Sequence, residues 1–158
     1  MLFTESECKT LRAKKCAHAA SQRKPNAHKH ILVVEDDSIL RRLNTEALIC
    51  SGYQVDAADG GVAAWDALQV NNYDLVITDN NMPKVTGVEL LGKMQAAGFT
   101  VPVIMATGTV PTAEFEKSPW LQPDAMLVKP YSLDELVDTV RNLLSATAAV
   151  PLEIAGTP

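Results

Sequence analysis

Three apolar runs in this chain each end in charged residues that a single reaction would need. Ile31 to Val34 precede Glu35-Asp36-Asp37, Leu75 to Thr78 precede Asp79, and Met126 to Val128 precede Lys129-Pro130. The pattern suggests an acidic pocket that handles phosphate. Short apolar runs of this kind read as buried parallel strands, and open parallel sheets place ligands at the carboxyl ends of their strands, so the charges converge. Glu35, Asp36 and Asp79 a few ångströms apart would repel and raise one another's pKa unless a cation intervened. Hard oxygen ligands with room for water suit Mg²⁺. A carboxylate can attack phosphorus covalently, and an ammonium such as that of Lys129 can meet phosphoryl oxygens as a point charge. Asp37 can instead cap the helix that follows, so the residues alone leave open which two of the acidic triplet face a metal.

The elements that must position these groups alternate from residue 30 onward. His30 to Val34 reads as a strand, and Ser38 to about Ser51 as a helix with Leu40, Leu43, Ala47 and Cys50 at helical spacing, stopped by Gly52. Tyr53, Val55 and Ala57 alternate with polar residues as an edge strand. Gly60-Gly61 open a helix with Val62, Trp65 and Leu68 on one face, Trp65 lining the core. Tyr73 to Thr78 is the third strand. A loop holding Pro83 follows, then a helix from about Gly87 with Val88, Leu91 and Met94 inward, and a fourth strand, Val101 to Ala106. Pro111, Pro119 and Pro123 leave only a short helix over Thr112 to Ser118. Ala125 to Val128 is the fifth strand. Ser132 and Glu135 form a capping box before an amphipathic helix carrying Leu133, Leu136, Val137, Val140, Leu143 and Leu144, and no pattern continues from Ser145. Such alternation predicts an α/β, doubly wound five-stranded parallel sheet with helices on both faces.

Composition narrows the function classes. The 158 residues suit one packed domain, no apolar stretch approaches the roughly 18 residues of a membrane span, and MLFTESECK lacks the order of a secretory signal. Residues 1–30 carry seven basic residues against Glu5 and Glu7, whereas residues 31–158 carry seven against seventeen acidic ones. The start reads as a solvated basic arm, and the acidic body argues against nucleic-acid binding. Cys8, Cys16 and Cys50 are odd in number and without framework spacing, which suits a reducing cytoplasm, with Cys50 a small apolar helix residue; with His18, His28 and His30 they fit no closed zinc pattern.

Taken together, ILVVEDD at 31–37, VITDNNMP at 76–83, Gly87, MATG at 105–108 and LVKPY at 127–131 resemble the receiver domains of response regulators, over about residues 29–144. The resemblance implies the flavodoxin-like sheet with strand order 2-1-3-4-5; outside it, charge and the lack of periodicity read as a basic disordered or frayed arm over 1–28 and a flexible tail over 145–158. The resemblance also implies that Asp79 accepts a phosphoryl group, with Asp36 and Asp79 binding Mg²⁺ directly, Glu35 acting through water and Asn81 giving its backbone carbonyl. Thr107 and Lys129 would contact the phosphoryl oxygens, the Lys129-Pro130 bond would be cis, and slow autodephosphorylation would follow. The implied partners are a histidine kinase or phosphotransfer protein and a separate downstream effector, with a homodimer as a further route, all in the cytoplasm. The chain's end soon after the last helix reads as a free-standing receiver.

Met126 stands where the family carries a switching aromatic, so the usual readout changes. With the proline-broken segment, this suggests a private partner face comprising Trp120, Tyr131 and Met126, against which a plain packing role for Trp120 weighs equally. The competing class is a phosphorylation-independent adaptor with the same fold. A metal-dependent phosphohydrolase is disfavoured, because Asn81 stands where a second acid would be needed.

Overall fold

The computed structural model describes residues 29–148. Five strands, β1 (His30–Val34), β2 (Gln54–Ala58), β3 (Leu75–Asp79), β4 (Val103–Thr107) and β5 (Ala125–Val128), form one parallel sheet in the order β2-β1-β3-β4-β5. The helices are α1 (Ser38–Cys50), α2 (Gly61–Val70), α3 (Gly87–Ala96), α4 (Thr112–Lys117) and α5 (Leu133–Ala148). β3 and β4 are buried at every position, as continuous apolar strands covered on both faces must be. β2 lies at an edge, as its pattern predicts, but its burial does not alternate: Val55 and Asp56 are half-buried, Ala57 is exposed and only Ala58 is buried.

Alternation along the strands builds two cores. Ile31, Val33, Ile77 and Leu127 meet Leu48 of α1 and Leu136, Val140 and Leu144 of α5. Leu32, Val34, Val76 and Val103 meet Ala64 and Leu68 of α2 and Leu90, Leu91 and Met94 of α3 on the other side. Trp65 packs against this second core, edge-on to Phe99 with ring centroids 6.0 Å apart. The capping box that starts α5 is present: the Ser132 N–H donates to Glu135 Oε2 at 2.7 Å and the Glu135 N–H to Ser132 Oγ at 3.1 Å. Thr86 and Glu89 make a second capping box at α3.

Several sequence expectations need correction. On α2 the inward stripe runs through Gly61, Ala64 and Leu68, and Val62 is exposed. A Cβ on Gly61 would come within 2.7 Å of Val85, so the start of the helix lies too close to that loop for a larger residue to face it. On α1 the buried positions are Asn44 and Leu48, whereas Leu40 and Leu43 lie at the surface. Leu133 of α5 is likewise exposed. α5 continues to Ala148, past the predicted end at Leu144. Cys50 is disulfide-bonded and not a plain apolar filler. The expected basic arm over 1–28 and the last ten residues of the expected tail lie outside the described residues.

Candidate functional site

The strand order reverses beside β1, whose neighbours β2 and β3 are reached by crossovers on opposite faces of the sheet. In such sheets ligands bind beside this reversal, at the carboxyl ends of the strands. Glu35 follows β1 directly, Asp79 is the last residue of β3 and Lys129 follows β5. One carboxylate oxygen from each of Glu35, Asp36 and Asp79 lies within 4.8 Å of the others. Glu35 and Asp79 are buried and Asp36 is exposed. Lys129 Nζ bridges the two buried groups, donating to Glu35 Oε2 at 2.9 Å and to Asp79 Oδ2 at 3.0 Å. The other Asp79 oxygen, Oδ1, accepts from the Asn81 N–H at 3.2 Å.

Burial pushes the Glu35 carboxyl above its usual range and the charge of Asp79 adds to this, while the hydrogen bond and charge of Lys129 pull the other way. Burial alone would lower the Lys129 amine, but its hydrogen bonds to Glu35 and Asp79 outweigh that and hold it above the usual lysine value. One ammonium balances only one of three clustered carboxylates. The donor set is all oxygen and carries excess negative charge, which fits a hard divalent cation.

The third acid of the triplet has a different task. Asp37 Oδ1 accepts from the N–H groups of Ile39 and Leu40 at 2.8 and 3.0 Å and so caps α1. The loop after β3 is held equally closely. Asn80 Oδ1 accepts from the Val88 N–H at 3.1 Å, and the Asn80 carbonyl from the Gly87 N–H at 3.1 Å. A Cβ on Gly87 would sit 2.4 Å from the Asp79 carbonyl oxygen, so only glycine allows α3 to start this close to Asp79.

Thr107 ends β4 and is fully buried, with its hydroxyl donating to the Thr109 carbonyl at 2.9 Å. Its own carbonyl accepts from the Lys129 N–H at 2.9 Å, tying the ends of β4 and β5 together. The Lys129-Pro130 bond is cis. Glu35, Asp36, Asp79 and Lys129 therefore converge. Asn81 joins them through its backbone N–H, and the Thr107 hydroxyl turns toward its own loop.

The expected partner face does not hold together as one surface. Tyr131 packs against the α1/α5 core, and its phenol oxygen accepts from Asn44 Nδ2 at 3.0 Å. Trp120 lies across the sheet: its carbonyl accepts from Gln95 of α3 at 3.2 Å, and Leu121 beside it packs on the second core. Met126, half-buried, alternates with Ala125 and Leu127 of the α1/α5 core and so belongs with the Trp120 side. Tyr131 is separated from that side because it packs on the α1/α5 core and lines a groove with Leu40, Leu43 and Asn44 of α1. Asn44 gave no signal in the sequence, since its partner is 87 residues away.

The family model for the response regulator receiver domain matches residues 31–141, a span that contains the whole acidic cluster and Lys129. The chain belongs to the response regulator receiver family. This receiver is 37% identical over 110 residues to the sensor histidine kinase RcsC of Escherichia coli K12, covering 70% of this chain and 12% of that protein. It is 32% identical over 123 residues to the transcriptional regulatory protein CusR of the same strain, covering 78% of this chain and 54% of that one. The chain thus spans about half, or far less, of the length of these curated relatives. Among solved structures, the response regulator TrrA of Thermotoga maritima, in complex with Mg²⁺-BeF, superposes with a TM-score of 0.63 at 33% identity, covering 73% of this chain and 98% of that one. Among the described residues, no helix is long and apolar enough to cross a membrane.

Proposed function

We propose that Asp79 accepts a phosphoryl group from a phosphohistidine of a histidine kinase or phosphotransfer protein, and that the acyl phosphate switches a partner-binding face. The observation that carries this reading is the Lys129 ammonium held 3.0 Å from Asp79 Oδ2 and 2.9 Å from Glu35 Oε2, beside an exposed third carboxylate. Asp79 oxygen attacks phosphorus, the phosphorus–nitrogen bond breaks, and its electron pair leaves with the donor imidazole. Glu35, Asp36, Asp79 and the Asn81 carbonyl would hold Mg²⁺, which supplies charge stabilisation to the phosphoryl oxygens when bound. Lys129 adds a point charge to the same oxygens. The Thr107 hydroxyl leaves Thr109 to meet the new acceptors, and this moves the loop after β4.

Beside Lys129 runs a largely apolar groove of about 480 Å³, lined by Leu40, Leu43, Asn44, Pro130, Tyr131 and Leu133. Its place next to the phosphoacceptor suits the donor that must deliver the phosphoryl group, a meeting we place in the cytoplasm. On the other side, Met126 and exposed Trp120 suit the effector that reads the switch. Intact-protein mass spectrometry after incubation with Mg²⁺ and a small phosphodonor tests the reading. One phosphate-sized gain is expected, lost in Asp79→Asn and without Mg²⁺. No gain, with rapid turnover excluded by phosphate release, would sink it in favour of a phosphorylation-independent adaptor.

A further inference from the structure

A lysine reaches its target through a flexible four-carbon stem, so the aim of the Lys129 ammonium depends on how firmly its backbone is held. On one side the Lys129 N–H is tied to the Thr107 carbonyl at 2.9 Å. On the other, the Ser132–Glu135 capping box fixes the start of α5. Between these anchors the loop has one polar side-chain tether among the described residues, the hydrogen bond from Asn44 Nδ2 to the Tyr131 phenol oxygen at 3.0 Å. Asn44 is only 3% exposed and lies on the inner stripe of α1, one turn before fully buried Leu48. A primary amide is costly there unless it is bonded, whereas an aliphatic residue would carry no such cost. The amide therefore has a use that packing alone does not require.

The same three residues share one surface. Asn44, Tyr131 and Lys129 all line the groove beside the acidic cluster. Burial pushes the Tyr131 phenol up, the Asn44 bond and the Lys129 charge oppose this, and the charges of Glu35 and Asp79 register on it as well. The phenol thus lies within the field of these charges without touching them.

We propose that Asn44 and Tyr131 are positioning residues for Lys129: their hydrogen bond fixes the loop that aims the ammonium at Asp79, making the groove face of α1 and the phosphoryl site one mechanical unit. This inference rests on the phosphoryl-transfer reading above. It separates aim from charge. Mg²⁺ binding depends on carboxylates from β1 and β3 and is untouched by the pair, whereas transfer to Asp79 depends on where the amine points.

The test uses the full chain with acetyl phosphate as donor at saturating Mg²⁺, comparing wild type, Tyr131→Phe, Asn44→Leu, the double variant, and Lys129→Met with and without Tyr131→Phe. Tyr131→Phe removes one oxygen and keeps the ring in the core, so it remains informative if Asn44→Leu fails to fold. The maximal phosphorylation rate should fall roughly three- to tenfold in either single variant, the scale of one net hydrogen bond, and no further in the double. Mg²⁺ affinity by calorimetry should stay within about twofold, and Tyr131→Phe should cost nothing in the Lys129→Met background. A readout that needs no phosphoryl transfer is acylation of the Lys129 amine followed by mass spectrometry, which should accelerate by a similar factor when the tether is cut. Unchanged rate and labelling in Tyr131→Phe would overturn the proposal. So would an equal slowing in the Lys129→Met background, or a fall in Mg²⁺ affinity that tracks the rate. A wild-type chain that takes up no phosphate would instead defeat the phosphoryl-transfer reading, and the labelling would still decide whether the pair holds Lys129.

Discussion

Replacing Lys129 with methionine deletes the ammonium but keeps an unbranched stem of similar bulk, so its effect is chiefly electrostatic. The amine sits 2.9 Å from Glu35 Oε2 and 3.0 Å from Asp79 Oδ2, and those side chains are only 3% and 8% exposed. Removing one partner of a buried ion pair costs about 3–5 kcal/mol; water reaching Lys129, itself 22% exposed, trims this to about 2–4 kcal/mol. For a domain of this size the loss lowers Tm by roughly 8–15 °C in metal-free buffer near pH 7.5. Two dependences identify the cause. Glu35 already has a raised pKa, and losing Lys129, which lowers it, raises it further. Stability from a raised carboxyl is full below its unfolded value and is lost as pH rises through its folded value, so the deficit is smaller at pH 5 than at pH 7.5. The folded Lys129 amine titrates above the ordinary 10.5, so the wild-type contribution persists through this window. Millimolar Mg²⁺ should erase more than half of the deficit, because a cation that binds only the folded state stabilises the more negative site more. Thermal unfolding followed by circular dichroism at pH 5 and 7.5, with and without Mg²⁺, measures all of this. A deficit of equal size under all four conditions would refute the electrostatic account and leave only lost packing.

Gly87→Ala forces a Cβ to within 2.4 Å of the Asp79 carbonyl oxygen and 2.9 Å of the Asn80 Cα, backbone atoms that cannot swing aside. It should cost about 1–3 kcal/mol in chemical denaturation and slow phosphorylation; an unchanged midpoint would mean that α3 is not pinned against Asp79. Asp37→Ala removes two hydrogen bonds at the start of α1 and should lower Tm while leaving the phosphorylation rate within about twofold. The Asp37 carboxyl is held below its ordinary 3.8 by the Leu40 and Ile39 amides, so its contribution is present above that value and lost as pH falls through the folded one. A variant with an unaltered acid transition would contradict the cap. Trp120→Ala, at a residue 74% exposed, should change stability by less than about 0.5 kcal/mol yet weaken effector binding; lower stability with intact binding would assign Trp120 to packing.

The sequence revealed the sheet because its central strands are apolar without interruption, a pattern that needs no knowledge of neighbours. β5 was legible to the residue over Ala125 to Val128. Strand order 2-1-3-4-5 followed from the family resemblance, and the charged residues at the strand ends followed from both. Helix faces were less legible. On α1 the apolar residues Ile39, Leu40, Leu43, Ala47 and Leu48 form a stripe too broad for periodicity to say which edge faces the sheet. The structure buries Leu48 with polar Asn44 and leaves Leu40 and Leu43 at the groove. On α2, periodicity places Val62 inward, but Gly61 takes the buried side in its approach to Val85 and Val62 is exposed. The separation of Trp120 from Tyr131 and the bond of Tyr131 to Asn44 depend on contacts between segments far apart in the chain, 87 residues for that bond, and no local pattern encodes them.

The bridge from Lys129 spans 94 residues to Glu35 and 50 to Asp79. Its last participant is supplied by β5, the last of the described strands in chain order, so a chain that stops before β5 holds its acidic cluster without the amine. Chain closure over such separations is slow and entropically costly, and it is also the step that brings a cation to the one cluster of three acidic groups found among the described residues. On the phosphoryl-transfer reading, the modified aspartate would then report that β5 has joined the sheet, and a partner that waits for it would not respond to a copy lacking that strand.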